Sequence, residues 1–196
     1  MKIVVDGNIG SGKSTQLELL DEAGFNITLE PIDQWPLELY YSDPERWGLL
    51  FQMIILQTLK IHKGFRIYER SPMSSRDVFW KVMTKTDLED QVYKREFDHH
   101  GWFPDVYIYI SKDPELCFEH IKKRSQDGDG GVTLDYLKTL DTHYKAMYNS
   151  VQCEKYMVDG SKTVADIHLE IVGIIRECQL KYIQQTACRV TTSATG

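Results

Sequence analysis

Residues 4–15 read Val4-Val5-Asp6-Gly7-Asn8-Ile9-Gly10-Ser11-Gly12-Lys13-Ser14-Thr15. The stretch contains the pattern G-x-x-x-x-G-K-[ST], and it lies between a short apolar run and a segment with helical periodicity. Its glycines let the backbone turn its N–H groups inward at the start of a helix, which creates a binding site for anions. The pattern therefore predicts a phosphate-binding loop over residues 7–15, in which Lys13 reaches the β and γ phosphates of a nucleoside triphosphate and Ser14 contacts Mg²⁺.

The rest of the chain alternates short β-rich runs with longer helical segments, which indicates a parallel sheet with helices on its faces. We expect an α/β fold with a five-stranded parallel sheet in a single P-loop domain over residues 1–183, because 196 residues are too few for two typical domains. A Gly- and Asp-rich segment within residues 120–131 predicts a short lid between two helices. From residue 184 onward, the Thr, Ser, Ala and Gly content predicts a disordered tail.

Helix boundaries follow from apolar periodicity and from capping residues. Apolar residues three and four apart predict a long helix from Asp43 to about His62, and the last helix is expected over residues 164–182. The segment 87–100 is expected to be an amphipathic helix that is mostly solvated, since it is strongly charged.

Composition argues against several classes of function. A net charge of −6 leaves no basic surface for nucleic acid. The four cysteines are scattered and show neither zinc-site spacing nor a disulfide framework, so we expect reduced thiols. No apolar run reaches the ~20 residues of a membrane span, and the chain begins directly with a predicted strand. These features predict a cytoplasmic protein that binds neither nucleic acid nor membranes.

Three predicted strand ends carry polar residues, namely Asp6-Gly7, Glu30-Pro31 and Glu69-Arg70. The carboxyl ends of parallel strands form the ligand crevice of such folds, so these side chains are expected near the phosphate-binding loop. Phosphoryl transfer to a hydroxyl needs a carboxylate beside the acceptor and cations that neutralise the transferred group. Glu30 and Arg70 match these two requirements.

Four linked motifs carry a family resemblance: the loop of residues 7–14, Glu30-Pro31-Ile32-Asp33-Gln34-Trp35, Asp43-Pro44 through Trp47 to Phe51-Gln52, and Glu69-Arg70-Ser71. In this order and spacing they resemble the deoxyribonucleoside kinase family, which includes thymidine kinases of the mitochondrial, insect and large-DNA-virus types. The resemblance runs from Met1 to about Phe79 and fades after the lid. It implies an enzyme that uses ATP and Mg²⁺ to phosphorylate the 5′-hydroxyl of a deoxynucleoside, and a homodimer formed through the long helices.

The resemblance also implies roles for individual residues on the phosphate side. Glu30 would be the base that faces the sugar 5′-hydroxyl, and Arg70 would stabilise the anion that forms there. Glu69 would help Ser14 to hold Mg²⁺. Arg124, at the start of the lid, would hold phosphate.

On the nucleoside side, the resemblance implies that Gln52 pairs with the edge of the base, since a carboxamide offers both a donor and an acceptor. Trp35, Phe51 and Phe79 would form an apolar slot around the ring. Tyr41 and Asp129 would contact the sugar 3′-hydroxyl.

Base preference follows from two further positions. Purine- and cytidine-accepting relatives tend to place an Arg on the long helix and an Asp shortly after the Glu-Arg-Ser triplet. This chain has Leu59 and Ser75 there, and an uncharged pocket resembles the thymidine-accepting branch. We therefore expect thymidine and deoxycytidine to be preferred over deoxyguanosine.

Two other functions remain compatible with the loop. A thymidylate kinase shares Gly12-Lys13-Ser14-Thr15-Gln16, but its acceptor phosphate would be repelled by Glu30, and such enzymes usually carry Asp-Arg-Tyr at positions 69–71. A GTP-binding switch is suggested by Thr84-Lys85-Thr86-Asp87 and by Asp127-Gly128-Asp129-Gly130, but these two motifs occur in reversed order.

Overall fold

A computed structural model describes the backbone of residues 1–124 and 131–193 and the side chains up to residue 184. Its strands are β1 (Lys2–Gly7), β2 (Ile27–Thr28), β3 (Arg66–Glu69), β4 (Val106–Ser111) and β5 (Glu154–Asp159). Within these residues the strands form one sheet in the order β2-β3-β1-β4-β5, and every pair of neighbours is parallel. The prediction of an α/β fold with a five-stranded parallel sheet is confirmed.

Helices connect the strands and cover both faces of the sheet. They are α1 (Lys13–Glu22), α2 (Leu37–Ser42), α3 (Pro44–Thr58), α4 (Pro72–Ser74), α5 (Trp80–Val82), α6 (Asp87–His100), α7 (Pro114–Arg124), α8 (Leu134–Ser150) and α9 (Val164–Ser193). A π-helical segment, Ser75–Phe79, joins α4 to α5. None of the helices in the described part of the chain is both long and apolar enough to cross a bilayer.

Alternating side chains of the central strand build two separate cores. Ile3 and Val5 of β1 pack with residues of α1 and α9 on one face of the sheet. Val4 points to the opposite face and packs with Tyr107, Tyr109 and residues of α8. A parallel sheet between two helix layers buries both of its faces in this way, and its carboxyl edge is left to carry the polar residues.

Helix α3 ends at Thr58, so the predicted end near His62 is wrong. The backbone leaves the helical region at Leu59, whose ψ is 69°. The carbonyl of Leu59 accepts a hydrogen bond of 2.8 Å from the indole Nε1 of Trp102, and the His62 N–H donates to the hydroxyl of Tyr68 at 2.9 Å. The first contact comes from a distant part of the chain and the second from the following strand, and helical periodicity reveals neither of them.

The last helix, α9, extends beyond its predicted end at Tyr182 and reaches Ser193. No Gly or Pro occurs between residues 183 and 193, so the chain contains no signal that would stop the helix there. The segment from residue 184, for which we expected a disordered tail, is helical up to Ser193. Residues 194–196 lie outside the described residues.

Helix α6 contributes more to the core than its charge suggests. It begins with a capping box in which the side chain of Thr86 accepts from the N–H of Glu89. Tyr93 and Phe97 on its inner face are buried and pack in one cluster with Leu56 and Trp80. The sequence Thr84 to Asp87, which suggested a guanine-reading motif, is therefore the segment that leads into the capped start of α6.

Candidate active site

The loop between β1 and α1 has the backbone that its glycines predict. Gly10 and Gly12 have φ values of 77° and 96°, and a Cβ atom on Gly10 would lie 2.5 Å from the carbonyl oxygen of Cys117. Asn8 ties the loop to α8 because its Nδ2 donates to the carbonyl of Leu137 at 2.9 Å. The result is a fixed concave backbone at the N-terminus of α1, which suits an anion.

Lys13 lies in this concavity and is 5% exposed. Its Nζ donates to the carbonyl of Asn8 at 2.8 Å. Burial, followed by repulsion from Arg70, lowers the pKa of Lys13 to about 8. A phosphate group beside Nζ would raise this pKa, because an opposite charge favours the ammonium form.

Glu30 and Arg70, the predicted base and anion stabiliser, form an ion pair across the pocket. Arg70 Nη1 donates to Glu30 Oε2, and the side chains of Glu30 and Arg70 are 5% and 11% exposed. Burial raises the pKa of Glu30 to about 7 even though the Arg70 guanidinium acts to lower it. A carboxylate with such a pKa can take up a proton near neutral pH.

Arg70 is held from several sides. Its Nε donates to the hydroxyl of Tyr144 at 3.0 Å and lies 3.6 Å from Asp6 Oδ1. Asp6 is fully buried, and its carboxylate also accepts hydrogen bonds from Ser74 and from Tyr107. These contacts fix the guanidinium in one orientation. The sequence did not predict them, and its only indication was an acidic residue, Asp6, at the end of an apolar strand.

Glu69 and Arg70 are consecutive residues, yet both line the same pocket. Side chains that follow one another in an extended strand point to opposite faces. Arg70 has a left-handed φ of 56°, which breaks this alternation directly after β3. Such a conformation costs about 1–3 kcal/mol in a residue other than glycine, and the hydrogen bonds of the guanidinium and of the Arg70 N–H to Val5 hold it in place.

Ser14 and Glu69 bring two oxygen atoms together beside the loop. The hydroxyl of Ser14 donates to Glu69 Oε1 at 2.7 Å. Mg²⁺ takes oxygen ligands and in phosphate-binding sites usually has only one or two protein ligands, with phosphates and water completing its shell. The hydroxyl and carboxylate therefore fit the predicted magnesium site.

An aromatic slot forms the wall opposite the loop. The rings of Trp35 and Phe51 meet edge to face with centroids 6.2 Å apart, and Trp35 Nε1 donates to Thr58 at 2.9 Å. Phe79 lies under the Arg70 guanidinium, whose Cζ is 5.2 Å from the ring centroid. Tyr40 stacks on Phe51 at 4.4 Å and also lines the pocket, although the sequence did not single it out.

Gln52 forms part of the floor of the slot and is completely buried. Its Oε1 accepts from the hydroxyl of Ser75 at 2.6 Å. Its Nε2 has no hydrogen-bond partner among the described residues. Because buried polar groups are almost always paired, this nitrogen is a strong candidate for contact with a ligand.

The structure brings most of the predicted residues into one pocket: Ile9, Gly10, Lys13, Ser14, Glu30, Trp35, Tyr41, Phe51, Gln52, Glu69, Arg70, Phe79 and Arg124. Gly7 and Asn8 support the loop from behind. Asp129 and half of the predicted lid, residues 125–130, lie outside the described residues, which resume at Gly131.

A second pocket borders the same loop. The predicted residues Ser11, Gly12 and Thr15 line it together with Lys112 and His120, and it shares none of its lining with the first pocket. Sequence reasoning missed Lys112 and His120 because nothing in the local pattern connects them with the loop.

Relatives of known type match most of the chain. A family model described as deoxynucleoside kinase matches residues 3–181. The thymidine kinase of Ictalurid herpesvirus 1 is 32% identical over 192 residues, which cover 87% of this chain and 84% of that protein. Human mitochondrial thymidine kinase 2 is 31% identical over 160 residues, which cover 70% of this chain and 60% of that protein.

A solved structure shares the fold. Deoxyadenosine kinase from M. mycoides with bound dCTP has a TM-score of 0.80 at 24% sequence identity, and the match covers 90% of this chain and 100% of that one. The family match favours the deoxynucleoside kinase interpretation over a thymidylate kinase or a GTP-binding switch. The chain belongs to the deoxynucleoside kinase family, and it is an ATP-dependent phosphotransferase.

Proposed function

We propose that the protein transfers the γ-phosphoryl group of ATP to the 5′-hydroxyl of a pyrimidine deoxynucleoside, with thymidine preferred. The observation that carries the proposal is the buried pair of Glu30 and Arg70 between the Lys13 loop and an uncharged aromatic slot. This arrangement provides a proton acceptor and a cation at the point where a sugar hydroxyl would face a terminal phosphate.

On the donor side, Lys13 and the inward N–H groups of the loop hold the phosphates of ATP, which supplies the phosphoryl group. Ser14 and Glu69 would hold Mg²⁺, which would neutralise part of the phosphate charge. We assign the second pocket, lined in part by Lys112 and His120, to the nucleoside moiety of ATP. Arg124 approaches the phosphates from the end of α7.

On the acceptor side, Glu30 takes the proton of the 5′-hydroxyl as the oxygen attacks the γ phosphorus. The new O–P bond forms while the bond to the β–γ bridging oxygen breaks, and ADP leaves. Arg70 neutralises negative charge on the attacking oxygen and on the transferred group. Asp6 and Tyr144 position Arg70 for this task through their contacts with Nε.

The base is held in the slot of Trp35, Phe51 and Phe79, and Gln52 pairs with its edge. Leu59 lines the pocket without charge, and Ser75 stands where an acidic residue is common in cytidine- and purine-accepting relatives. Tyr41 lines the pocket, and we assign it to the sugar 3′-hydroxyl, the role that the family resemblance also implies for Asp129. The herpesvirus and human relatives are both named thymidine kinases, which supports a pyrimidine deoxynucleoside as an acceptor.

A substrate panel tests this proposal. ATP is combined with each of the four deoxynucleosides and with thymidylate, and ADP release is measured. We expect the highest kcat/KM with thymidine, then deoxycytidine. A higher value for deoxyguanosine would contradict the base preference, and a higher value for thymidylate would contradict the acceptor. The cytoplasmic location and the homodimer through the long helices remain predictions.

A further inference from the structure

A short chain of buried hydroxyl groups lies behind the carboxamide of Gln52. The hydroxyl of Ser75 lies 2.6 Å from Gln52 Oε1 and 2.8 Å from the phenol oxygen of Tyr93. Gln52 and Tyr93 are fully buried, and Ser75 is 2% exposed. The three residues come from α3, from the π-helical segment and from α6, so the chain of hydroxyls links three elements.

The direction of these hydrogen bonds follows from the number of hydrogens available. Burial raises the pKa of Tyr93, so its phenol keeps its hydrogen at neutral pH. Within the described residues, Ser75 Oγ is the hydrogen-bond partner of this phenol. With this orientation of the carboxamide, Tyr93 donates to Ser75 and Ser75 donates to Gln52 Oε1, so both hydroxyl hydrogens have an acceptor. With the carboxamide rotated by half a turn, Nε2 would donate to Ser75 Oγ, and the hydroxyl hydrogen of either Ser75 or Tyr93 would be left without an acceptor among these groups.

The parts that hold the amide are themselves well supported. The ring of Tyr93 stacks on Trp80 with centroids 4.3 Å apart and an angle of 14° between the planes. Trp80 Nε1 in turn donates to Asp90 at 2.9 Å. Ser75 is the first residue of the π-helical segment, a type of distortion that is frequent at functional sites.

The orientation of the amide matters because the two pyrimidine bases differ in the order of their groups. Thymine presents a donor at N3 and an acceptor at O4, whereas cytosine presents an acceptor at N3 and a donor at its 4-amino group. An amide that rotates freely can pair with both edges in one binding pose, but an amide held in one orientation pairs with only one of them.

We propose that Ser75 and Tyr93 fix the orientation of the Gln52 carboxamide and thereby set the discrimination between thymidine and deoxycytidine. Both are positioning residues, since they act through Gln52. The inference rests on the proposed function, and it assigns the preference between pyrimidines to two hydroxyl groups that lie behind the residue expected to touch the base.

The test compares wild type with Ser75→Ala, Ser75→Thr and Tyr93→Phe. The readouts are the thymidine-to-deoxycytidine ratio of kcat/KM and the ratio of the two dissociation constants from calorimetry without ATP. Ser75→Ala should bring both ratios about tenfold closer to one, which is the effect of about one lost hydrogen bond. Tyr93→Phe should move them less in the same direction, and Ser75→Thr, which keeps the hydroxyl, should retain the wild-type ratios. Tyr156→Phe, which removes an exposed phenol on β5, is the matched control.

The outcomes separate this inference from the proposed function. Equal losses for both nucleosides in Ser75→Ala, with unchanged ratios, would overturn it, because a purely structural role predicts that result. A wild-type enzyme that binds and phosphorylates both pyrimidines equally, or binds neither, would also overturn it. If wild type prefers deoxycytidine and Ser75→Ala still moves the ratio toward one, the inference stands and the thymidine preference falls.

Discussion

Replacing Glu30 by glutamine removes the proposed base while keeping its shape. The amide oxygen of the new side chain can still accept from Arg70 Nη1, so the orientation of the guanidinium should survive. A general base contributes about 10²–10⁴-fold to the rate. We therefore expect kcat to fall by about that factor, with the KM for thymidine changed by less than about threefold, since no contact with the base is lost.

The pH dependence gives the sharper measurement. With a pKa of about 7 for Glu30, the basic carboxylate makes up about a tenth of the wild-type enzyme at pH 6 and about nine tenths at pH 8. Wild-type kcat/KM should therefore rise through pH 7 and level off above it. The residual activity of Glu30→Gln should lack this rise. Steady-state kinetics with coupled detection of ADP measures both profiles, and Glu38→Gln, an exposed substitution outside the pocket, is the matched control.

Stability provides an independent readout with a definite sign. The native pKa of Glu30 lies above its ordinary value of 4.5, so its contribution to stability is fully present below pH 4.5 and is lost as the pH rises through about 7. This raised pKa corresponds to about 3 kcal/mol of unfolding free energy. Urea titrations at pH 5 and pH 8 should show the loss in wild type but not in Glu30→Gln. Full turnover in the variant, or parallel stability curves for both proteins, would refute the assignment.

Three further substitutions test the surroundings of this pair. Asp6→Asn removes the buried charge that faces Arg70, so the unfolding free energy in urea should fall by about 3 kcal/mol; a loss below about 0.5 kcal/mol, the range of surface substitutions, would show that the pair is not needed for stability. Arg124→Ala should lower kcat much more than the affinity for thymidine, because it approaches from the phosphate side; an unchanged kcat would remove it from the mechanism. Gly131→Ala places a Cβ atom 2.6 Å from the ring of Tyr41, so the ring must move and the KM for thymidine should rise; an unchanged KM would show that Tyr41 does not contact the sugar.

Local pattern was enough to predict the phosphate-binding loop and most of the elements around it. The loop needs glycines and a lysine at fixed spacing, and strand and helix periodicity survives in the sequence whatever the tertiary structure is. The presence of Glu30 and Arg70 beside the loop was also predictable, because both follow predicted strands and the carboxyl ends of parallel strands meet at one edge of the sheet.

Contacts between distant segments explain what the sequence did not reveal. Helix α3 ends before its predicted end, and the carbonyl of Leu59 just after it accepts a hydrogen bond from Trp102, far along the chain. Asp6 lies in β1 and Tyr144 lies in α8, and no spacing in the sequence connects either residue with Arg70. The hydroxyl chain from Tyr93 to Gln52 depends on a helix that composition alone marks as solvated, so its inner face became visible only in the folded chain.

The left-handed backbone at Arg70 has a consequence for redesign of this enzyme. It lets two consecutive residues at the end of β3, Glu69 and Arg70, line the same pocket, and the proposed function assigns one to the metal and the other to the acceptor oxygen. Under the proposed function, the metal side and the acceptor side of the site are thus tied to a single peptide unit, about 3.8 Å between Cα atoms. Mutant libraries aimed at unnatural nucleosides can therefore vary the aromatic slot widely, whereas one residue inserted or deleted before Ser71 should abolish turnover with every acceptor.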